Sequence, residues 1–80
     1  MDAYHNDGIS YKYGGAVTPD TDQNFNALQV TDATSGNLVE IMNDDSTTYV
    51  MFMTVGTVYP VRGKQVVAAG TTADTIIFLR

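Results

Sequence analysis

Cysteine is absent from this 80-residue chain, and histidine occurs once. The first absence excludes disulfides and thiolate metal sites and leaves the redox compartment open; the second excludes a multi-histidine metal centre within one chain. Basic residues are also scarce, four Lys and Arg against nine Asp and Glu, for a formal net charge of −5. Such a balance repels phosphate backbones, so no nucleic-acid partner is expected. No apolar run approaches the roughly 20 residues that a spanning helix needs. The start, Met1-Asp2-Ala3-Tyr4-His5-Asn6-Asp7, has neither the basic opening nor the apolar centre of a secretion signal. The expectation is a soluble protein with no membrane partner and no secretion signal. An internal repeat, a low-complexity tract and a sustained helical period are missing too. A chain this short makes one small domain at most and buries only a modest share of its surface. With disulfides and a metal core excluded, oligomerisation or docking on a larger surface is the remaining route to stability.

The chain divides by texture. Residues 1–23 interleave Gly8, Gly14, Gly15, Pro19 and several Asp with Tyr4, Tyr11 and Tyr13, and no period persists. This segment reads as an extended N-terminal arm, unstructured in the free subunit and ordered where it lies against something. Its tyrosines either cover the open end of the chain's own barrel or contact a neighbouring subunit. Tyr11-Lys12-Tyr13 alternates as a short edge strand does. Residues 24–80 read as a single β-domain. Phe25 to Val30 is its first strand, followed by the turn-rich Asp32-Ala33-Thr34-Ser35-Gly36-Asn37. Leu38 to Met42 is the second strand, Asn43-Asp44-Asp45-Ser46 a four-residue hairpin turn, and Thr47 to Met53 the third strand. In that third strand Tyr49, Met51 and Met53 share one face and Val50 and Phe52 the other, which predicts a strand covered on both sides.

The C-terminal third continues in the same manner, with β-rich runs at Val58 to Arg62, Gln65 to Ala68 and Thr75 to Leu79, punctuated by Gly56, Pro60, Gly63 and Gly70. Pro60 cannot donate to a ladder, which places its run at an edge or a bend. Gly70-Thr71-Thr72-Ala73-Asp74 reads as a tight connection. The fold class predicted is all-β: a small antiparallel β-sandwich or partly closed barrel of about six strands with an extended N-terminal arm. Phe25, Leu28, Val30, Ile41, Val50, Phe52, Val66, Ile77 and Leu79 are the expected core. Met42, Met51 and Met53 read as core gap-fillers, the alternative being an adaptable interface on the third strand.

Chemistry-bearing constellations are few. Asp20, Asp22 and Asp32, and the Asn43-Asp44-Asp45-Ser46 turn, supply the acidic clusters, without the spacing and closing Glu of an EF-hand. They read as turn formers, with a weak cation site between subunits as the alternative. Gly14-Gly15 is followed by neither a Lys nor a helix, so it is no phosphate loop. His5 sits in the arm, away from any nucleophile, and reads as solvated. A pair of carboxylates hydrolysing a glycosidic bond needs a sugar cleft for which so small a barrel has little room. No enzyme activity and no cofactor is expected. Arg62, Lys64 and Arg80 gather in the C-terminal third, while Lys12 is the one base before residue 40. The subunit is then electrically two-sided, suited to contact with copies of itself or an acidic shell protein, unless these charges are simply solvated. Tyr4, Tyr11, Tyr13, Tyr59, Arg62 and Lys64 are the candidate interface residues, because aromatic and Arg side chains are frequent anchors and Pro60 marks an exposed edge.

Gly70-Thr71-Thr72-Ala73 followed by Ile76-Ile77-Phe78-Leu79, with Val17-Thr18-Pro19-Asp20 upstream and Gly56-Thr57-Val58-Tyr59-Pro60-Val61 between, resembles a group of small structural proteins of tailed bacteriophages. These decorate or cement the head shell or form the base of a head spike. The resemblance runs from about Val17 to Arg80. It implies a non-enzymatic virion protein, made in the host cytoplasm and held on the capsid surface in many copies. Its implied partners are the major capsid protein or other virion proteins and further copies of itself, as a homo-oligomer with the trimer as the candidate form. A tail, baseplate or head-to-tail connector component, and a small carbohydrate- or ligand-binding module, are the alternative readings.

Overall fold

A computed structural model describes residues 4–6 and 9–80, with side chains from Tyr11 onward. Nine strands follow one another among the described residues: β1 Tyr4–Asn6, β2 Ile9–Tyr11, β3 Gly14–Ala16, β4 Ala27–Asp32, β5 Leu38–Met42, β6 Thr48–Phe52, β7 Val58–Tyr59, β8 Gln65–Val67 and β9 Thr75–Leu79. A single 3-10 turn, Ala68–Gly70, separates β8 from β9. The first two strands pair as a hairpin; the others form a four-stranded sheet ordered β3-β9-β4-β7 and a three-stranded sheet ordered β6-β5-β8. Every pairing is antiparallel.

The two sheets face each other as a sandwich and do not close into a barrel. Alternation along each strand builds the shared core. Leu28 and Val30 of β4 stand opposite Phe78 and Ile76 of β9, and these four pack with Val39 and Ile41 of β5 and Val66 of β8. Phe25 and Met53 complete that cluster from outside the strands. The intervening residues of the four-stranded sheet turn to its other face, where Ala27 and Leu79 are sealed by Tyr11 with Val58 and Ile77 alongside.

The sheets are tied together at Phe25 and Gly63. The Phe25 N–H donates to the Gly63 carbonyl at 2.9 Å, and the Gly63 N–H returns to the Phe25 carbonyl at 3.1 Å. Residues 20–24 then close the outer edge of β8: the Asp20 N–H reaches the Val66 carbonyl at 2.8 Å and the Gln23 N–H reaches that of Lys64 at 2.8 Å. The Asp20 carboxylate accepts from the Ala68 N–H at 3.0 Å, capping the start of the 3-10 turn. Thus, within the segment set apart as an arm, Gly14–Ala16 is a sheet strand on β9 and Asp20 and Gln23 bond to β8. The expectation of an arm that orders on contact falls in part on residues outside those described.

Strands β5 and β9 have the expected bounds. The first expected strand starts later, at Ala27, because Phe25 is spent on the bridge to Gly63. β7 ends at Tyr59, before Pro60, and lies at the edge of its sheet as a missing donor requires. The hairpin turn after β5 holds: the Asn43 N–H bonds the Thr47 carbonyl at 2.8 Å and the Ser46 N–H the Asn43 carbonyl at 2.9 Å.

The expected core needs correction at Val50, Phe52 and Ile77. Val50 is 51% exposed and Phe52 66% exposed, so β6 is not covered on both sides. β6 is an edge strand, and its register with β5 sets Phe52 beside Leu38 and Val50 beside Glu40 on the face turned away from the other sheet. Met53 is fully buried and Met51 partly buried on the inner side, beside Val39. Ile77 is only half-buried, on the outer face of its own sheet. Ala27, Val39, Ile76 and Phe78 are buried in their stead, and Met53 is in the core as its reading as a gap-filler has it.

Candidate protein interface

The outer face of β6-β5-β8 is the most apolar exposed surface among the described residues. Register places three rows on it: Leu38 with Phe52, then Val50 with Glu40 and Val67, then Thr48 with Met42 and Gln65. Leu38, Val50 and Phe52 are exposed; Met42 and Val67 are half-buried. Val55, beyond β6, and Tyr49, on the strand's inner parity at its open edge, add further exposed apolar area. Among the described residues β6 pairs with β5 alone, so its outer edge offers backbone N–H and C=O groups with no second described strand against them. No Lys, Pro or bulge blunts that edge, the usual devices against strand addition. A face and an edge of this kind serve protein contact.

The residues singled out from sequence are dispersed over the molecule. The side chains of Tyr4 and His5 lie outside the described residues. Tyr11 is buried against Ala27 and Leu79 of its own chain. Tyr13 is 54% exposed, with its ring 5.8 Å from that of Phe78 and the Arg80 guanidinium 5.0 Å above its centroid. Arg80 also donates to the carbonyls of Gln23 and Asn24. Tyr59 is half-buried against the core, and its hydroxyl accepts from the Thr54 N–H at 2.8 Å. Hydrogen bonding from Thr54, through side chain and backbone, holds that phenol below its ordinary pKa of 10.0. Arg62 is exposed, with Asp44 4.0 Å away, and Lys64 donates to the Ser46 hydroxyl at 2.8 Å. Arg62 and Lys64 therefore both serve the β5–β6 hairpin turn, whereas Tyr13 and Arg80 meet at the four-stranded sheet. The exposed row of Leu38, Val50 and Phe52 escaped the sequence reading, because alternating apolar residues on two faces look alike whether the outer face is covered or bare.

The acidic turns are ordered by their own neighbours. Asp32 accepts from the Thr34 N–H at 3.0 Å and the Thr34 hydroxyl at 2.8 Å. Asp45 accepts from the Thr47 hydroxyl at 2.6 Å and the Thr47 N–H at 3.1 Å. These bonds hold both carboxyls below the ordinary 3.8. An open dent between Asn43, Asp44, Asp45 and Arg62 is solvent-facing, and among the described residues no three His, Asp or Glu side chains gather to hold a metal ion.

No family model and no curated protein matches the chain. Among solved structures, a chain of the "Capsid of native GTA particle computed with C5 symmetry" is similar, with a TM-score of 0.71 at 24% identity. The match covers 100% of this chain and 100% of that one. At that identity the likeness establishes a shared fold: the small β-sandwich, from one end to the other, has a counterpart in a capsid particle.

Proposed function

We propose that this chain is a non-enzymatic structural protein of a phage-like virion, held in several copies on the capsid surface, where it cements the shell or seats a spike. The observation that carries the reading is the full-length agreement in fold with a chain of a GTA capsid. The exposed apolar row on β5 and β6 supports it physically, since a domain this small gains stability by burying such a surface against neighbours. Contact with more than one shell subunit would bind them to each other, because separating the subunits then also requires breaking the contacts with this chain.

The test is quantitative mass spectrometry of purified particles, with and without the gene for this chain. The chain is expected in fixed stoichiometry with the major shell protein. Particles made without it are expected to lose contents at lower temperature or to lack a surface projection. Complete particles that never contain the chain would refute the reading.

A further inference from the structure

Glu40 is the one charged residue among the strand positions on the outer face of β6-β5-β8. It stands between Val50 on β6 and Val67 on β8, with Leu38 and Met42 two positions away on its own strand. Gly70 of the 3-10 turn lies flat against it: a Cβ at Gly70 would be 3.0 Å from Glu40 Cβ and 3.0 Å from Cδ. The Glu40 N–H is bonded to the Thr71 hydroxyl at 3.0 Å. Its carboxylate has no hydrogen-bond donor and no ion pair among the described residues, and the side chain is half-buried. Open to water, such a group is tolerated. Covered by an apolar partner without a cation, it would be strongly unfavourable.

We propose that this face docks on a foreign protein surface that is apolar except for a Lys or Arg placed over Glu40. Charge selects that occupant over a second copy of this chain. Two copies stacked face to face would oppose Glu40 to Glu40, each on a chain of net charge −5. The chain has little cationic character to offer in exchange. Lys64 is bonded to Ser46, Arg80 to the carbonyls of Gln23 and Asn24, and Arg62 stands by Asp44; the fourth base, Lys12, is exposed but lies beside Arg80 at the end of the four-stranded sheet, off this face. A basic, apolar partner satisfies the carboxylate and covers Leu38, Val50 and Phe52 in one contact. Glu40 then acts as the selecting element, rejecting surfaces that present no cation there. The inference rests on the virion reading, because the particle supplies the partner.

The probe is a purified particle assembled without this chain, titrated with the purified, labelled protein at low and moderate salt. The unaltered chain is expected to bind, more weakly as salt rises. Phe52→Ala and Glu40→Lys are expected to weaken binding at least about tenfold, the loss typical of a central contact. Glu40→Gln, nearly the same shape, should bind less tightly and lose part of the salt dependence. Lys12→Ala, an exposed change on another part of the molecule, serves as the control. Circular dichroism verifies that each variant is folded, and Glu40→Gln decides if Glu40→Lys is not. Equal binding by the unaltered chain, Phe52→Ala and Glu40→Gln would overturn this inference and leave the virion reading standing. Failure of the unaltered chain to bind would overturn both. A free dimer that Glu40→Gln tightens on sedimentation would identify a second copy as the occupant and overturn the choice of partner.

Discussion

Gly63 is the residue on which the two sheets depend most directly. Sequence marks it only as punctuation between two strands, yet its backbone is bonded to Phe25 in both directions and its α-carbon is packed from three sides. A Cβ there would sit 2.8 Å from Ile41 Cγ2, 2.9 Å from the Met42 carbonyl oxygen and 2.9 Å from Phe25 Cζ. Gly63→Ala must therefore push apart backbone and core together, with an expected loss of about 1 to 3 kcal/mol in urea unfolding. The turn carboxyls act at the same scale. Asp32 and Asp45 are held below the ordinary 3.8 in the folded chain, so their contribution is present above that value and is lost as pH falls through the folded pKa. The melting temperature is expected to stay level from neutrality down to about pH 5 and to drop below about pH 4. The double change Asp32→Asn and Asp45→Asn keeps an acceptor oxygen but removes the titration, and should flatten the acid limb. An unchanged acid limb would assign the loss to other carboxylates.

At the scale of the element, β6 separates what was legible in the sequence from what was not. Strands β5 and β9 were readable because each is a short apolar run bounded by Gly, Asn or Asp, and their limits coincide with those expected. β6 carries an equally apolar sequence, and periodicity alone fixes which residues share a face, not whether that face meets another sheet. That depends on the strand order β6-β5-β8, which no local pattern encodes. Tyr11 illustrates the opposite case: a tyrosine in a glycine-rich segment looks available to a partner, but it covers Ala27 and Leu79 of the four-stranded sheet in its own chain. The distinction is measurable with two phenylalanines. Phe78 is 4% exposed and Phe52 66% exposed. Phe78→Ala is expected to cost roughly 3 to 5 kcal/mol, whereas Phe52→Ala should stay within about 0.5 kcal/mol of the parent in the free chain, as exposed substitutions do. Comparable destabilisation by the two would place Phe52 in a core and remove the apolar face with it.

For the whole molecule, the pattern of covered and open edges gives the sandwich a direction. The outer edge of β8 is closed by residues 20–24, β7 is only two residues long and stops at Pro60, and β3, the other edge of the four-stranded sheet, is only three residues long. β6 is left with its outer edge open beside an apolar outer face, so the side of the molecule that remains unfinished is the β5–β6 hairpin. Small domains without disulfides hold little stability in reserve. Free energy gained by covering that side is then added to folding, since a partner that binds the folded chain alone stabilises it by RT ln(1 + [L]/Kd), about 2.7 kcal/mol when the partner stands at 100 Kd. In a domain of this size that corresponds to a rise on the order of 10 °C in melting temperature. Under the proposed virion role, protease digestion along a temperature ramp reads this out for the same chain free and bound to a particle. The particle-bound chain is expected to resist cleavage to a distinctly higher temperature, and Phe52→Ala, with its apolar row diminished, should show a smaller interval between the two states. Identical ramps for free and bound chain would mean that attachment leaves the sandwich as it is in solution, and that the open side of β6 is not where the particle holds it.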